Sequence, residues 1–283
     1  MTTPLGTETL FAHLFDQRLP AAGLRRHVLL FVEAAAATAI AIALPRLLGL
    51  DEAGLVGLFL TSAALSSRMH MLLAQNSEEV WKMPASTGAN RRTTLAVLTL
   101  FAGILTTFTV ATLLLGRAQA EQQFAFALRA ANVTAHSLLL DRFGSVSGVL
   151  SHNLLVAVAL FLLSAVFRAY GALLALTWNA AVWGTVLTVL VERQATDHPD
   201  HALPSAAMAV LAIFPHLVVE GVADVLFALA GIFASKGFLT YALDDPRLRA
   251  VLGAVLRLLV AAVVALSVAA VLEARVAPHL LGP

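Results

Sequence analysis

Long apolar runs, each able to cross a lipid bilayer, constrain this chain more than any other feature. The stretch from Thr93 to Gly116 carries no charged side chain, and about 20 apolar helical residues are enough to span a hydrocarbon core. In lipid every backbone N–H and C=O must be satisfied within the protein, so runs of this kind fold as helices. They recur along the sequence, of which 59% is hydrophobic and only 12% charged. Soluble globular domains do not have that balance. The charges lie in short segments between the runs, which leaves no stretch for a separate water-soluble domain within the 283 residues. The sequence therefore predicts an all-α, polytopic helical membrane protein with about seven transmembrane helices, or six if the second run does not cross.

Several function classes drop out at this stage. A net charge of +1 with no concentrated basic face gives no basis for nucleic-acid binding. The absence of cysteine removes disulfides, thiolate catalysis and Cys-ligated metal centres. No nucleophile elbow, phosphate loop or His-Glu-x-x-His segment occurs, so the expectation is a non-enzymatic chain with no cofactor. Met1 to Arg26, with Pro4, Asp16, Arg18 and Pro20, lacks a convincing small-residue cleavage site and reads as a retained cytoplasmic leader. The triplet Asn132-Val133-Thr134 fits a glycosylation sequon, a pattern frequent enough by chance to be set aside.

The first span runs from His27 to about Leu50, with Glu33 inside it and Asp51-Glu52 breaking it. A weaker second run, Ala53 to about Ala74, contains Arg68, and a polar stretch from Gln75 to Arg92 separates it from the third span. Between Arg117 and Asn153 the pattern is only intermittently apolar. Phe124, Phe126, Leu128 and Leu138 to Leu140 suggest amphipathic helix lying at the interface. Spans four and five, Leu154 to about Tyr170 and Gly171 to Val191, have almost no residues between them and predict a tight helical hairpin. The sixth run, Pro204 to Ser235, exceeds one crossing, and Pro215 should kink or break it. The last runs from Leu248 to about Val271 and ends at Glu273, Arg275 and Pro278.

Lys and Arg in short loops favour the cytoplasmic side. An N-inside arrangement gives that side Arg18, Arg25, Arg26, Arg68, Lys82, Arg91, Arg92, Arg168, Lys236, Arg247 and Arg249. The opposite side then receives only Arg46, Arg117, Arg129, Arg142, Arg193 and Arg275. The expectation is a multi-pass protein of the plasma (inner) membrane with a cytoplasmic N-terminus.

A charged group at bilayer depth requires a partner or a role. The densest set is His216, Glu220 and Asp224, whose i, i+4 spacing stacks them on one helical face. Two readings follow. One is a cation or proton path, or a metal site drawing on an imidazole and two carboxylates. The other is a buried polar network in which Asp224 pairs with Arg257 at similar depth on the last span. Asn153 and Asn179 read first as interhelical hydrogen-bonding residues, and Gly171, Gly184, Gly221 and Gly231 as close-packing positions.

Four segments of the C-terminal half resemble the stage II sporulation protein M family of prokaryotic membrane proteins. They are His152-Asn153-Leu154 at the entry to a span, Trp178-Asn179-Ala180 with the later Gly184, Pro215-His216-Leu217-Val218-Val219-Glu220, and Ala269-Ala270-Val271-Leu272-Glu273 with Pro278. His152, Ala180 and Leu217 stand where the family has Asn, Gly and Gly. Order and spacing agree over about Phe143 to Pro278. The resemblance implies an all-helical membrane protein acting as a scaffold or subunit for partner proteins at the cell envelope. It divides the chain into a leader and helical hairpin addition over 1–92 and a family-like membrane domain over 93–283. The alternative is a small ion or solute transporter or channel using the His216, Glu220 and Asp224 stripe. The expected surroundings are the lipid bilayer, envelope protein partners and, through the small-residue faces, a homodimer.

Overall fold

The computed structural model describes residues 23–50, 52–82, 87–131, 145–277 and 279. Among them there is no β-strand. The helices are α1 (Leu24–Leu47), α2 (Ala53–Lys82), α3 (Thr87–Leu115), the short α4 (Arg117–Gln123) and α5 (Ala125–Ala130), α6 (Val146–Asp197), α7 (Ala202–Thr240) and α8 (Pro246–Val271). Six of them are long and apolar enough to cross a membrane. The leader residues up to 22, the Leu138 to Leu140 run, the sequon and Pro278 lie outside the described residues.

The expected hairpin is present inside α6. Its backbone leaves the helical region at Arg168, where φ is 52° and ψ is −125°. The chain turns back there so sharply that a Cβ on Gly171 would overlap the carbonyl of Leu163. In a straight helix those two residues would be about 12 Å apart. The arms before and after Arg168 occupy the places of spans four and five. The second run also forms a helix of spanning length, despite Arg68.

Helix α7 is the centre of the molecule, its apolar window 78% buried against 28 to 44% for the other spans. Residues Ala223 to Ala234 are buried without interruption, which requires neighbours on every side. Gly231 lets the first arm of α6 lie against it, since a Cβ there would collide with the Phe161 carbonyl. The helix continues from Ala202 to Thr240, so of the kink or break expected at Pro215 the break does not occur.

One other expectation gives way. The polar stretch from Gln75 to Arg92 extends the helices on either side, with α2 reaching Lys82 and α3 starting at Thr87. Its Asn76 and Asn90 side chains hydrogen-bond to each other at 2.8 Å, so polarity is accommodated between helix ends. The segment after Arg117 forms the two short helices α4 and α5 in its described part, too short to cross a bilayer and packed against the bundle. Phe124 is fully buried with its ring edge-on to Phe108 at 5.8 Å, and Phe126 packs on Trp178 at 5.4 Å.

Glu33 and Arg68 explain how the first two helices carry charge through an apolar layer. Arg68 Nε donates to both Glu33 carboxylate oxygens, at 2.8 and 2.7 Å, near the middle of each helix. Arg68 is 5% exposed and Glu33 16%. Arg68 therefore lies within a helix rather than in a loop, paired with an acid inside the bundle.

Two outcomes follow from these contacts. Arg68→Leu alone should lower stability by about 3–5 kcal/mol by stranding Glu33, and Arg68→Leu with Glu33→Leu should recover most of the loss, as read by thermal unfolding in detergent. Arg168 holds a backbone conformation that disfavours any side chain, so Arg168→Gly should raise stability by about 1 kcal/mol in the same assay.

Candidate functional site

The polar residues of the C-terminal half converge on one cavity of about 460 Å³, a volume typical of small-molecule sites. Its walls come from the start of α6, the returning arm of α6, the first half of α7 and the turn after α8. The position follows from topology. The α6 hairpin brings residues near 153 and 179 to the same level, and α7 packs across both arms.

Asn153, Asn179, His216, Glu220 and Glu273 all line this cavity, together with His152, Trp178 and Trp183. Two of these side chains are polar and more than nine-tenths buried, Asn153 at 7% exposed and His216 at 5%. Among the described residues Asn153 Nδ2 has no hydrogen-bond partner, and leaving such an atom unmatched in a low-dielectric interior costs about 1–3 kcal/mol. Glu220 and Glu273 are half-buried at the wall, and no Lys or Arg is found among the described lining residues.

Asp224 lies one turn beyond Glu220, and it does not line the cavity. Its Oδ2 accepts from Asn179 Nδ2 at 2.7 Å, and the residue is 1% exposed. The bond ties α6 to α7 and commits the Asn179 nitrogen, turning the carbonyl end of that amide away from Asp224. Arg257 is exposed on α8, so the expected Asp224–Arg257 pair does not form. A short amide donor on the adjacent helix satisfies the carboxylate, and the long guanidinium stays at the surface. The stripe thus divides, with His216 and Glu220 on the cavity wall and Asp224 behind it. Among the described residues, no three His, Asp or Glu side chains come together as a metal-ligand set.

Gly184 and Pro215 stand apart from the cavity. Gly184 packs against α3, where a Cβ would sit 2.9 Å from the Thr109 backbone nitrogen, and Pro215 is exposed. The two tryptophans were not among the candidate residues read from sequence. Trp178 is adjacent to Asn179, and Trp183 lies on the same helical arm four residues after it, so i, i+4 spacing was the signal available. Trp183 is fixed by an edge-on contact with Phe101 at 5.6 Å.

A bundle of helices long and apolar enough to span a bilayer defines a multi-pass membrane protein, here with a half-buried polar cavity between the helices. The family model for stage II sporulation protein M matches residues 93–278. The chain belongs to that family, and the matched region takes in α3 as well as the segments that carry the resemblance. No curated protein and no solved structure matches it.

Removing the Asn179 donor should expose how strongly the Asp224 carboxylate depends on it. Asn179→Ala is expected to lower stability by about 1–3 kcal/mol, with Asp224→Asn in the same background recovering part of the loss. Thermal unfolding of the four proteins of this double-mutant cycle measures the coupling. A coupling energy near zero would contradict the assigned hydrogen bond.

Proposed function

We propose that this chain is a non-enzymatic membrane protein that binds a small cation-bearing solute in the α6–α7 cavity and serves as a carrier for it. The observation that carries the reading is the convergence of Asn153, Asn179, His216, Glu220 and Glu273 on one cavity of about 460 Å³. Two carboxylates at the wall favour a positively charged guest, and the Trp178 and Trp183 indoles offer faces that attract an ammonium group. Asn153, Asn179 and His216 on the same wall add polar groups that would fix its orientation. The continuously buried stretch Ala223 to Ala234 closes the path beyond the cavity, which favours a carrier over an open channel.

A second reading keeps the chain as a scaffold for envelope partners. Its support is the Asn179–Asp224 bond, which locks α6 to α7 and accounts for both polar residues as rigidifying contacts. In that reading the family residues shape a fixed body that partners recognise.

Purified protein in proteoliposomes separates the two. Under an imposed gradient, wild type should move protons or the probe cation methylammonium. Glu220→Gln should reduce the flux about tenfold or more, corresponding to at least about 1.4 kcal/mol of lost interaction, while its melting temperature stays close to wild type. Absence of flux in folded, inserted wild type would reject the carrier and direct the work to partner capture from native membranes.

A further inference from the structure

Arg257 stands where a membrane helix rarely carries charge. Helix α8 turns Leu248, Val255, Ala262 and Leu266 toward the rest of the bundle. Arg257 follows Leu248 by nine residues, which at about 100° per residue places it on the opposite side of the helix. It is exposed there among Leu256, Val260 and Val264, themselves 62%, 57% and 58% exposed. Basic residues in spanning helices ordinarily face the bundle interior or a hydrated cavity, whereas this one faces outward.

The neighbours on that face are basic as well. From Pro246 to Val271 the helix contains no Asp or Glu, and Arg249 is exposed about two turns nearer its start. Among the described residues, neither the Arg249 nor the Arg257 side chain takes part in a hydrogen bond or ion pair. The acid beside the helix start, Asp245, is engaged by Arg247 at 2.7 Å. Gly253 lies between the two arginines, and a Cβ there would stand 3.8 Å from Arg257 Nη1. The Arg257 side chain therefore runs back along the helix by one turn, over the glycine and toward Arg249. Two cations directed at one stretch of helix repel each other unless an anion lies between them.

The direction of Arg257 identifies that anion. Its guanidinium reaches toward the start of α8, where headgroups lie, rather than straight out into the acyl layer, where an acid on a neighbouring helix would stand. A second copy of this chain would bring the same basic face against itself across a two-fold interface, with no acid on α8 to oppose it. A phospholipid matches both parts of the face, its phosphate at the arginines and its acyl chain along Val260, Val264 and Val268. We propose that the outer face of α8 binds an anionic phospholipid, whose phosphate bridges the Arg249 and Arg257 guanidinium groups over Gly253. The site stands apart from the α6–α7 cavity and is independent of the carrier reading.

Photolabelling of the full-length protein in detergent, using phosphatidylglycerol with a diazirine in its acyl chain and peptide mapping, tests the assignment. Wild type should be labelled on α8 between Gly253 and Val268, and unlabelled phosphatidylglycerol should compete at least about tenfold better than phosphatidylcholine. Half-saturation should need about fivefold more probe in Arg257→Gln and about 30-fold more in Arg257→Gln with Arg249→Gln, as expected for one and two surface cations. Melting without added lipid should be unchanged by either substitution, because both side chains are exposed. Should the double variant fail to fold, the single variant still reads the shift. Labelling elsewhere than α8, equal competition by the two lipids, or unchanged half-saturation in Arg257→Gln overturns the proposal. Displacement of the probe by an equal concentration of inorganic phosphate also overturns it. An unlabelled α8 together with a dimer in native mass spectra does so too, and makes the face an interface between two copies.

Discussion

Membrane-embedded polar groups must find partners inside the protein, and this requirement organises the whole molecule. Apolar packing alone separates helix from lipid only weakly, because lipid tails are as apolar as leucine. Polar contacts and close backbone approach therefore decide which helices adjoin. Arg68 joins α2 to Glu33 of α1, and Asn179 joins the returning arm of α6 to Asp224 of α7. Thr188 Oγ1 donates to the Gly184 carbonyl one turn back at 2.8 Å and lies 3.4 Å from the Thr109 carbonyl of α3, where Gly184 lets the two backbones approach. Each of these residues sits where a mismatch would be expensive and a match fixes rotation about the helix axis.

The central position of α7 follows from the same requirement. A helix that is apolar all round and carries Asp224 in its middle is best placed where neighbours surround it. The α6 hairpin supplies two of those neighbours at once, because a single unfavourable backbone conformation at Arg168 returns the chain within one turn. With both arms beside α7, residues near 153, 179 and 216 share one level. The cavity is then the space left where polar side chains of three segments face one another and apolar packing stops.

Beyond the cavity the chemistry separates into two layers. Asp224 and Asn179 are joined by a hydrogen bond and hold two helices together, whereas Asn153 and His216 stand on the cavity wall. Two groups of similar type on one helix thus take different roles by virtue of what faces them.

The fold class was legible in the amino-acid sequence, as were the tight hairpin after Tyr170 and the membership of Pro215 to Glu220 in a family motif. Run length and hydropathy are local properties, and the bilayer translates them directly into spanning helices. Residues such as Asn153, Asn179 and Glu220 could be singled out because polar groups are rare in such runs. Their grouping into one cavity was not legible, and neither was the partner of Asp224. The continuous path of α7 through Pro215 and the inward turn of Phe124 and Phe126 also depended on the assembled bundle. Helices that are apolar on every face carry no amphipathic stripe to mark their packed side, so the sequence determined which segments cross the membrane. Only the tertiary structure, through interhelical hydrogen bonds and close backbone contacts, decided which side chains meet.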